Sequence, residues 1–380
     1  MTDNKKNYRI FISAAEPSAD SHCAGLIAAL QNRGVDIEFV GLGGEKMASA
    51  GCQLLQRTAG KAAMIYKAFS RIPHFYRLIR KIRHFLKTQR PDLVIVCDSP
   101  AFNFHVAKAA KKAQIKTLFY VAPQLWAWGA WRLRKLKRCC DKLACILPFE
   151  EDWFKQRGVD AVFVGNPLLD GINTDLSNYR KSYVDFKPET AKIAIMPGSR
   201  NAEIDSLWLP MQQTALMIKQ KYHDAQFTAV AVDSQRKDIL KASQINGFEC
   251  RYAIGNVTET ALEADFSMVA SGSATLQIAA VGCPMVIMYQ SSKVLWHLIG
   301  SWLLKTKHLS LVNILAQREL VPEFMPYFPS IDPIAQTCLQ LLSDKAKLSR
   351  LSTELTQMAQ PLAAKKPQQR MANIVIDMLP

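Results

Sequence analysis

Ile193-Ala194-Ile195-Met196-Pro197-Gly198-Ser199-Arg200-Asn201-Ala202-Glu203-Ile204 is the stretch that decides the fold. A β-branched apolar run breaks at Pro-Gly-Ser and gives way to a helical pattern, so it reads as a short buried strand entering a tight turn that opens a helix. A helix start offers free backbone N–H groups and the positive end of the dipole, and both attract anions. Arg200 adds a planar fork that can grip a diphosphate in two-pronged fashion. Taken alone, Gly-Ser-Arg more often marks a surface arginine on an ordinary turn, so its context has to decide.

The context is an alternation of strand-like and helical segments on both sides of that stretch. Before it, Ile10–Ser13, Ile37–Leu42, Leu93–Cys97, Thr117–Val121, Lys142–Leu147 and Val162–Val164 read as strands. After it come Phe227–Val232, Cys250–Ala253, Phe266–Ala270 and Pro284–Met288, with Ile193–Met196 as the first strand of this second series. Strands alternating with helices predict parallel sheets covered on both faces. A polar run from Gly171 to Lys192 separates the two series. The chain therefore divides into an N-terminal domain over 1–170, a connection over 171–192, a second domain over 193–345 and C-terminal helices over 346–380. In open sheets of this kind ligands bind beyond the carboxyl ends of the strands, so the loops after the strands are the candidate site.

At 380 residues the chain suits two domains, and its formal charge of +16 calls for an acidic partner: nucleic acid, an anionic membrane face or a phosphorylated substrate. The nine cysteines include no CxxC pair and none at metal-ligand spacing to a histidine, which predicts a reducing, cytoplasmic setting and no metal site. The N-terminal residues carry no secretory pattern, and the longest apolar stretch, Val294–Leu304, is too short to span a bilayer. No acidic residue lies between Glu45 and Asp92. There the cations Arg77, Arg80 and Lys81 interleave with Ile65, Phe69, Ile72, Phe75, Tyr76 and Ile79. That pattern fits an interfacial membrane helix and fits equally a sheet-covering helix with a cationic outer face. Nucleic-acid binding is disfavoured, since no recognised nucleic-acid module accompanies the charge.

Asp98 closes the buried run Leu93–Cys97. A carboxylate at a strand end is well placed as a general base, although an Asp before a proline-containing helix start is more commonly a helix cap. Ser271-Gly272-Ser273-Ala274-Thr275 repeats the strand-to-helix theme with small residues that let backbone N–H groups approach a phosphate. Neither this loop nor Gly198–Arg200 fits a P-loop. Asn313, Arg318 and Glu319 are polar residues in an apolar helical pattern, and they either reach a ligand or form an internal polar face.

Two α/β units with phosphate-type loops in the second suggest two doubly wound, Rossmann-like domains facing a cleft, as in GT-B glycosyltransferases. Ordered segments add a resemblance to the lipid-A-disaccharide synthase family over nearly the whole chain. They include Glu16-Pro-Ser18-Ala-Asp20-Ser-His22, Gly41-Leu-Gly-Gly44, Asp98-Ser-Pro-Ala-Phe-Asn103, Tyr120–Trp128, Leu147-Pro-Phe-Glu150, Val164–Leu168, Pro197–Arg200, Ser271–Thr275 and Ser310-Leu-Val-Asn313 with Arg318-Glu-Leu320.

The resemblance implies transfer of 2,3-diacylglucosamine from UDP to the 6-hydroxyl of 2,3-diacylglucosamine 1-phosphate with inversion, and no metal or organic cofactor, the UDP-sugar being a substrate. It implies Asp98 as base and Arg200 on the pyrophosphate. Gly198, Ser199, Ser271, Gly272, Ser273, Ala274, Thr275, Gln277, Asn313 and Arg318 would line the UDP site, and Glu16, Ser18, Asp20, His22 and Asn103 the acceptor loop. Residues 64–86, with Trp296 and Trp302 from the apolar segment, would dock the chain on the inner face of the cytoplasmic membrane and receive acyl chains. The C-terminal helices would pack back on the first domain, and a homodimer is left open. The chain departs from the family in having Ala15 and Ala19 where glycines are usual, Gln277 where a glutamate is expected on the ribose, and Gln317 for a small residue. The Ala pair predicts an altered first loop, because a residue with a Cβ resists positive φ. A non-catalytic nucleotide-sugar or lipid-binding paralogue is the alternative, and among enzymes a nucleotide-sugar epimerase is the main rival.

Overall fold

The computed structural model describes residues 7–58, 72–127, 129–291, 307–363 and 366–380. They form two compact units, Met1–Asp170 with Lys365–Pro380 and Gly171–Ala364.

The first unit carries β1 (Tyr8–Ala14), β2 (Ile37–Gly43), β3 (Gln53–Arg57), β4 (Leu93–Cys97), β5 (Lys116–Tyr120), β6 (Lys142–Cys145) and β7 (Ala161–Phe163). They lie in the order β3-β2-β1-β4-β5-β6-β7, and every pair is parallel. Its helices are α1 (Pro17–Gln31), α2 (Glu45–Ser49), α3 (Ile72–Gln89), α4 (Pro100–Lys112), α5 (Leu133–Cys139) and α6 (Pro148–Lys155). Successive strand residues face opposite sides, so Phe11, Val94, Val96 and Phe119 pack with α3 to α6 through Leu78, Ile82, Phe104 and Phe154. Their neighbours Ile10, Ile12, Ile95 and Tyr120 pack on the other side with Leu26 and Ile27 of α1. Both faces are covered, which is why the strands read as continuous apolar runs.

The second unit carries β8 (Lys192–Met196), β9 (Gln226–Ala231), β10 (Arg251–Ile254), β11 (Phe266–Ala270), β12 (Met285–Met288) and β13 (Glu323–Phe324), again all parallel, in the order β10-β9-β8-β11-β12-β13. Its helices are α7 (Asn201–Lys221), α8 (Ser234–Ala242), α9 (Val257–Glu263), α10 (Ala274–Ala280), α11 (Leu311–Ala316), α12 (Asp332–Ser343) and α13 (Lys345–Ala363). The last helix, α14 (Pro367–Met378), returns to the first unit and packs on α1. Gly25 makes room for it, since a Cβ there would sit 2.7 Å from Gln368 Nε2.

Two features differ from the sequence expectation. The segment 346–380 divides, α13 staying with the second unit and α14 joining the first. The connection 171–192 is fastened to the second unit: Lys181 Nζ donates to the carbonyls of Ala261 and Leu262 at the end of α9, Tyr183 Oη donates to Asp265 O, and Ser352 Oγ accepts from Lys181 N. Strands β3 and β13 are also additions. Gln-Leu-Leu-Gln-Arg has no alternation or β-branched residue, and a two-residue strand leaves no pattern.

Candidate active site

In each sheet the strand succession reverses once, between β1 and β4 in the first and between β8 and β11 in the second. Loops diverge at such a switch point and open a crevice beyond the strand ends. Asp98 follows β4 directly, Ala15-Glu16 follows β1, Pro197–Arg200 follows β8, and Ser271–Ser273 follows β11.

At the first switch point Asp98 and Ser99 adopt φ of 52° and 42°, left-handed values that a side chain resists. The turn is held from beneath by Asn103, which is fully buried. Its Nδ2 donates to Cys97 O at 2.8 Å and Asp98 O at 2.7 Å, and its Oδ1 accepts from Ser13 Oγ at 2.7 Å. Asp98 N donates to Tyr120 O at 3.0 Å, and Val121, next along, is also left-handed at φ 64°. Two adjacent strand ends are thus bent out of the sheet. The cap position of α4 falls on Ser99, whose side chain donates to Glu16 Oε1 at 3.2 Å and makes no cap bond. The cap position of α4 is thus Ser99 and not Asp98, which is half-buried at the head of the turn.

The remaining acceptor-loop expectations resolve differently. Asp20 is buried in α1, and its carboxylate accepts from Gly44 N at 2.6 Å, Met47 N at 3.2 Å and Lys46 N at 3.2 Å, so it caps α2. His22 is buried against the Tyr120 ring, with its pKa lowered to about 4, first by burial and then by Lys46. It is a neutral core imidazole. Ser18 is exposed in the first turn of α1. Asn103 acts through the turn it holds. Ala15 and Ala19 are buried and neither has positive φ, as residues carrying a Cβ prefer.

At the second switch point Gly198 takes φ 112°, and a Cβ there would lie 2.5 Å from Glu203 Oε2. Only glycine fits. Glu203 Oε2 accepts from Ser199 N at 2.8 Å and Arg200 N at 3.1 Å, while Oε1 pairs with Arg200 Nη1 at 3.0 Å. The donors expected to be free are occupied by the helix's own third residue, a capping-box arrangement. Arg200 is 71% exposed in that pair. An ion pair whose arginine is this open to water is worth under about 1 kcal/mol, so Arg200 is held to Glu203 only weakly through its side chain.

In the neighbouring loop, Thr275 Oγ1 donates to Gly272 O at 2.7 Å, and a Cβ on Gly272 would meet nothing within 4 Å. Ser271 and Ala274 are half-buried, and Gly272 and Ser273 are exposed beneath that open space. Gln277 is half-buried and points Nε2 to Thr258 Oγ1 at 3.5 Å.

Asn313 is fully committed elsewhere. Its Nδ2 donates to Val321 O and Glu323 Oε2, both at 2.9 Å, and its Oδ1 accepts from Leu320 N and Val321 N. A buried amide with every valence used holds the chain around β13 and has nothing left for UDP. Glu323, which also accepts from Leu309 N and Ser310 N, completes that network and was not expected from the sequence. Arg318 stays accessible, half-exposed and paired with Glu354 at 3.0 Å. Gln317 sits at φ 55°, the helix-ending position where a small residue is preferred.

Of the expected membrane contacts, Ile79 is a core residue, 3% exposed. It falls on the inner stripe of α3 with Leu78, Ile82 and Leu86. Phe75 is half-buried, edge-on to Phe102 and His105. Tyr76 is 67% exposed, and Arg77, Arg80 and Lys81 are exposed beside it. Ile65, Phe69, the Ile72 side chain, Trp296 and Trp302 lie outside the described residues. Among the described residues no helix is long and apolar enough to cross a membrane, and no group of three His, Cys, Asp or Glu is placed to hold a metal.

One further buried polar group went unassigned in the sequence: Glu150, 1% exposed, accepts from Trp126 Nε1 at 2.9 Å and from Leu147 N at 3.1 Å. It ties the loop after β5 to the start of α6. Burial raises its pKa to about 7, against the pull of those donors. The Leu147-Pro-Phe-Glu150 run signals a helix start with an acid in the first turn, but its partner is remote in sequence.

Residues 10–375 match the family model described as lipid-A-disaccharide synthetase. The lipid-A-disaccharide synthase of Geobacter sulfurreducens is 30% identical over 382 residues, which cover 100% of this chain and 99% of that one. The chain belongs to the lipid-A-disaccharide synthase family. It is a glycosyltransferase of lipid A biosynthesis by that membership, and its fold is of the GT-B type. A solved glycosyltransferase of kitacinnamycin superposes with a TM-score of 0.64 at 14% identity, covering 99% of this chain and 100% of that one. UDP-GlcNAc 2-epimerase from Neisseria meningitidis, solved with UDP-GlcNAc, superposes with a TM-score of 0.56 at 12% identity, covering 98% and 99%. At those identities the two structures share the fold of lipid-A-disaccharide synthases and nothing finer.

Proposed function

We propose that the chain transfers 2,3-diacylglucosamine from its UDP donor to the 6-hydroxyl of 2,3-diacylglucosamine 1-phosphate, giving the β-1,6-linked disaccharide 1-phosphate and UDP. Asp98 takes the proton from the acceptor hydroxyl as its oxygen attacks the anomeric carbon, and the bond to the UDP oxygen breaks on the opposite face, inverting the configuration. Arg200 leaves Glu203 for the pyrophosphate and meets the negative charge that grows there, with the Ser271–Thr275 helix start beside the nucleotide. Arg318 and Gln277 contribute to the same nucleotide site. No metal or organic cofactor takes part. The observation that carries this assignment is the strained Asp98-Ser99 turn at a switch point, fixed by a buried asparagine. Strain of this kind persists where the surroundings impose it, as at reacting groups.

The chain works peripherally at the inner face of the cytoplasmic membrane, meeting it with the cationic outer face of α3 at Tyr76, Arg77, Arg80 and Lys81. An epimerase would need no acylated acceptor and would leave that face without a purpose.

The test is an assay of the purified chain with both acylated substrates in detergent, following disaccharide and UDP. Asp98→Ala is expected to lower turnover about 10²–10⁴-fold as a lost general base, and Arg200→Ala about 10²–10³-fold as a lost charge stabiliser. UDP release without acceptor points instead to donor hydrolysis. Absence of turnover across several acyl lengths with UDP binding intact favours a binding paralogue.

A further inference from the structure

Helix α4 shares a basic face with α3 and α5. His105 is half-buried in the second turn of α4, with the ring of Phe75 edge-on at 5.3 Å. Lys135 of α5 lies with its Nζ 4.8 Å from the centre of the buried Phe104 ring. His105 is held below its ordinary pKa by burial and then by Lys135, Arg83 and Lys108, with no acid acting against them. Lys135 is likewise lowered, by burial first and then by Lys108 and Arg132, opposed only by the Cys139 thiol, which burial itself pushes up. Among the described residues no ion pair engages Arg83, Lys108 or Lys135. Residues 46–91 contain no Asp or Glu to supply one from α3 or the chain before it.

Like charges gathered on an aromatic floor repel one another, and water screens the exposed ones only in part. An anion in their midst reverses the sign of that cost. The cluster also lies along the helix that Asp98 precedes: His105 is five residues past its first residue, Pro100, about 8 Å along the axis at 1.5 Å per residue. That is roughly one sugar ring with its phosphate. The elements that carry these cations also expose aromatic rings, Tyr76 on α3 and Trp131 just before α5, as suits a ligand that also carries acyl chains.

We propose that Arg83, His105, Lys108 and Lys135 seat the 1-phosphate of the acceptor, a phosphate monoester on an acylated sugar. This rests on the function proposed above. The phosphate holds the far end of the sugar while the 6-hydroxyl lies at Asp98, so the cluster selects phosphorylated acceptors and leaves the donor untouched.

The test compares Lys108→Gln/Lys135→Gln with Lys112→Gln/Arg138→Gln, which removes the same charge from exposed positions on the same two helices. Binding of 2,3-diacylglucosamine 1-phosphate and of its dephosphorylated analogue to the full chain is measured in detergent, beside acceptor and donor KM. A charge-assisted hydrogen bond carries about a 10-fold effect, so the first double variant is expected to weaken the phosphorylated lipid about 100-fold, leaving the analogue and the donor KM unchanged. Equal losses in both double variants, or none in either, overturn the proposal. So does loss of binding to phosphatidylglycerol vesicles with acceptor KM intact, which assigns the face to bulk lipid headgroups. Wild-type chain that binds the phosphorylated lipid through these residues yet makes no disaccharide sinks the proposed reaction and leaves the seat standing.

Discussion

Asn103→Ala offers the sharpest separation between holding a catalytic turn and touching a substrate. The asparagine makes three short side-chain hydrogen bonds, to Cys97 O, Asp98 O and Ser13 Oγ, with complete burial. At about 1 kcal/mol net for each, with a further cost for the buried partners left unpaired, the variant loses about 3–4 kcal/mol. For a unit of this size that lowers its unfolding transition by about 6–16 °C. The left-handed pair at Asp98 and Ser99 costs about 1–2 kcal/mol per residue, and without the asparagine it relaxes towards ordinary backbone. A displacement of about 1 Å at a catalytic group can cost about 10²-fold, so turnover at saturating substrates is expected to fall by about that factor with both KM values nearly unchanged. The assay is disaccharide formation at a temperature below the variant's transition, with unfolding followed separately. Wild-type turnover in a destabilised variant refutes the link between the asparagine and the base. A selective rise in acceptor KM would return Asn103 to the acceptor contacts expected from the sequence.

Asn313→Ala and Arg318→Ala should behave oppositely: the first loses about 3–4 kcal/mol of stability with its four hydrogen bonds, the second under about 1 kcal/mol with an exposed ion pair, and a rise in donor KM confined to Arg318→Ala, seen in steady-state kinetics, completes the contrast. Gln317→Gly relieves a left-handed side chain worth about 1–2 kcal/mol while loosening the unfolded chain by about 0.4–1 kcal/mol, so a net gain of about 0.5 kcal/mol is expected in the urea midpoint, and a loss would contradict the strain. Glu150, raised by burial from 4.5 to about 7, binds more protons folded than unfolded across that window, so its contribution to stability falls as pH rises from 4.5 to 7. His22, lowered by burial from 6.5 to about 4, has the opposite slope, its contribution falling as pH drops from 6.5 to 4. Unfolding curves of Glu150→Gln should therefore gain stability with pH from 4.5 to 6.5 more steeply than wild type, and an unchanged slope would show that Glu150 does not titrate there.

What the sequence made legible follows from where the information is local. Leu93-Val-Ile-Val-Cys97 reads as a buried strand because both its faces are covered, and Pro197-Gly198 reads as a turn because position 198 demands positive φ with no Cβ. The two phosphate-type loops and Asp98 could be found because a doubly wound sheet puts its ligand crevice at the ends of strands that the pattern reveals. The edge strand Gln53–Arg57 was not legible, because polar residues and two leucines carry no alternation.

Side-chain partnerships were the other gap. Asn313 and Glu323 meet across ten residues, Trp126 and Glu150 across twenty-four, and Ser13 and Asn103 across ninety, separations at which one sequence carries no pairing signal. Glu203 is the instructive exception: an acid three residues after Arg200 is a capping-box spacing, so its claim on the loop's N–H groups was readable. That claim refines how the loop works. A helix start whose donors are already satisfied by the chain's own carboxylate stays ordered without its ligand, and exchanging one anion for another costs little reorganisation. Glu203→Ala should then leave the loop less ordered and strengthen competition by inorganic phosphate for the UDP site, since the internal anion no longer opposes it. The inhibition constant of phosphate against the UDP donor reads this directly, and a constant unchanged by the substitution would mean that the carboxylate does not stand where the diphosphate must go.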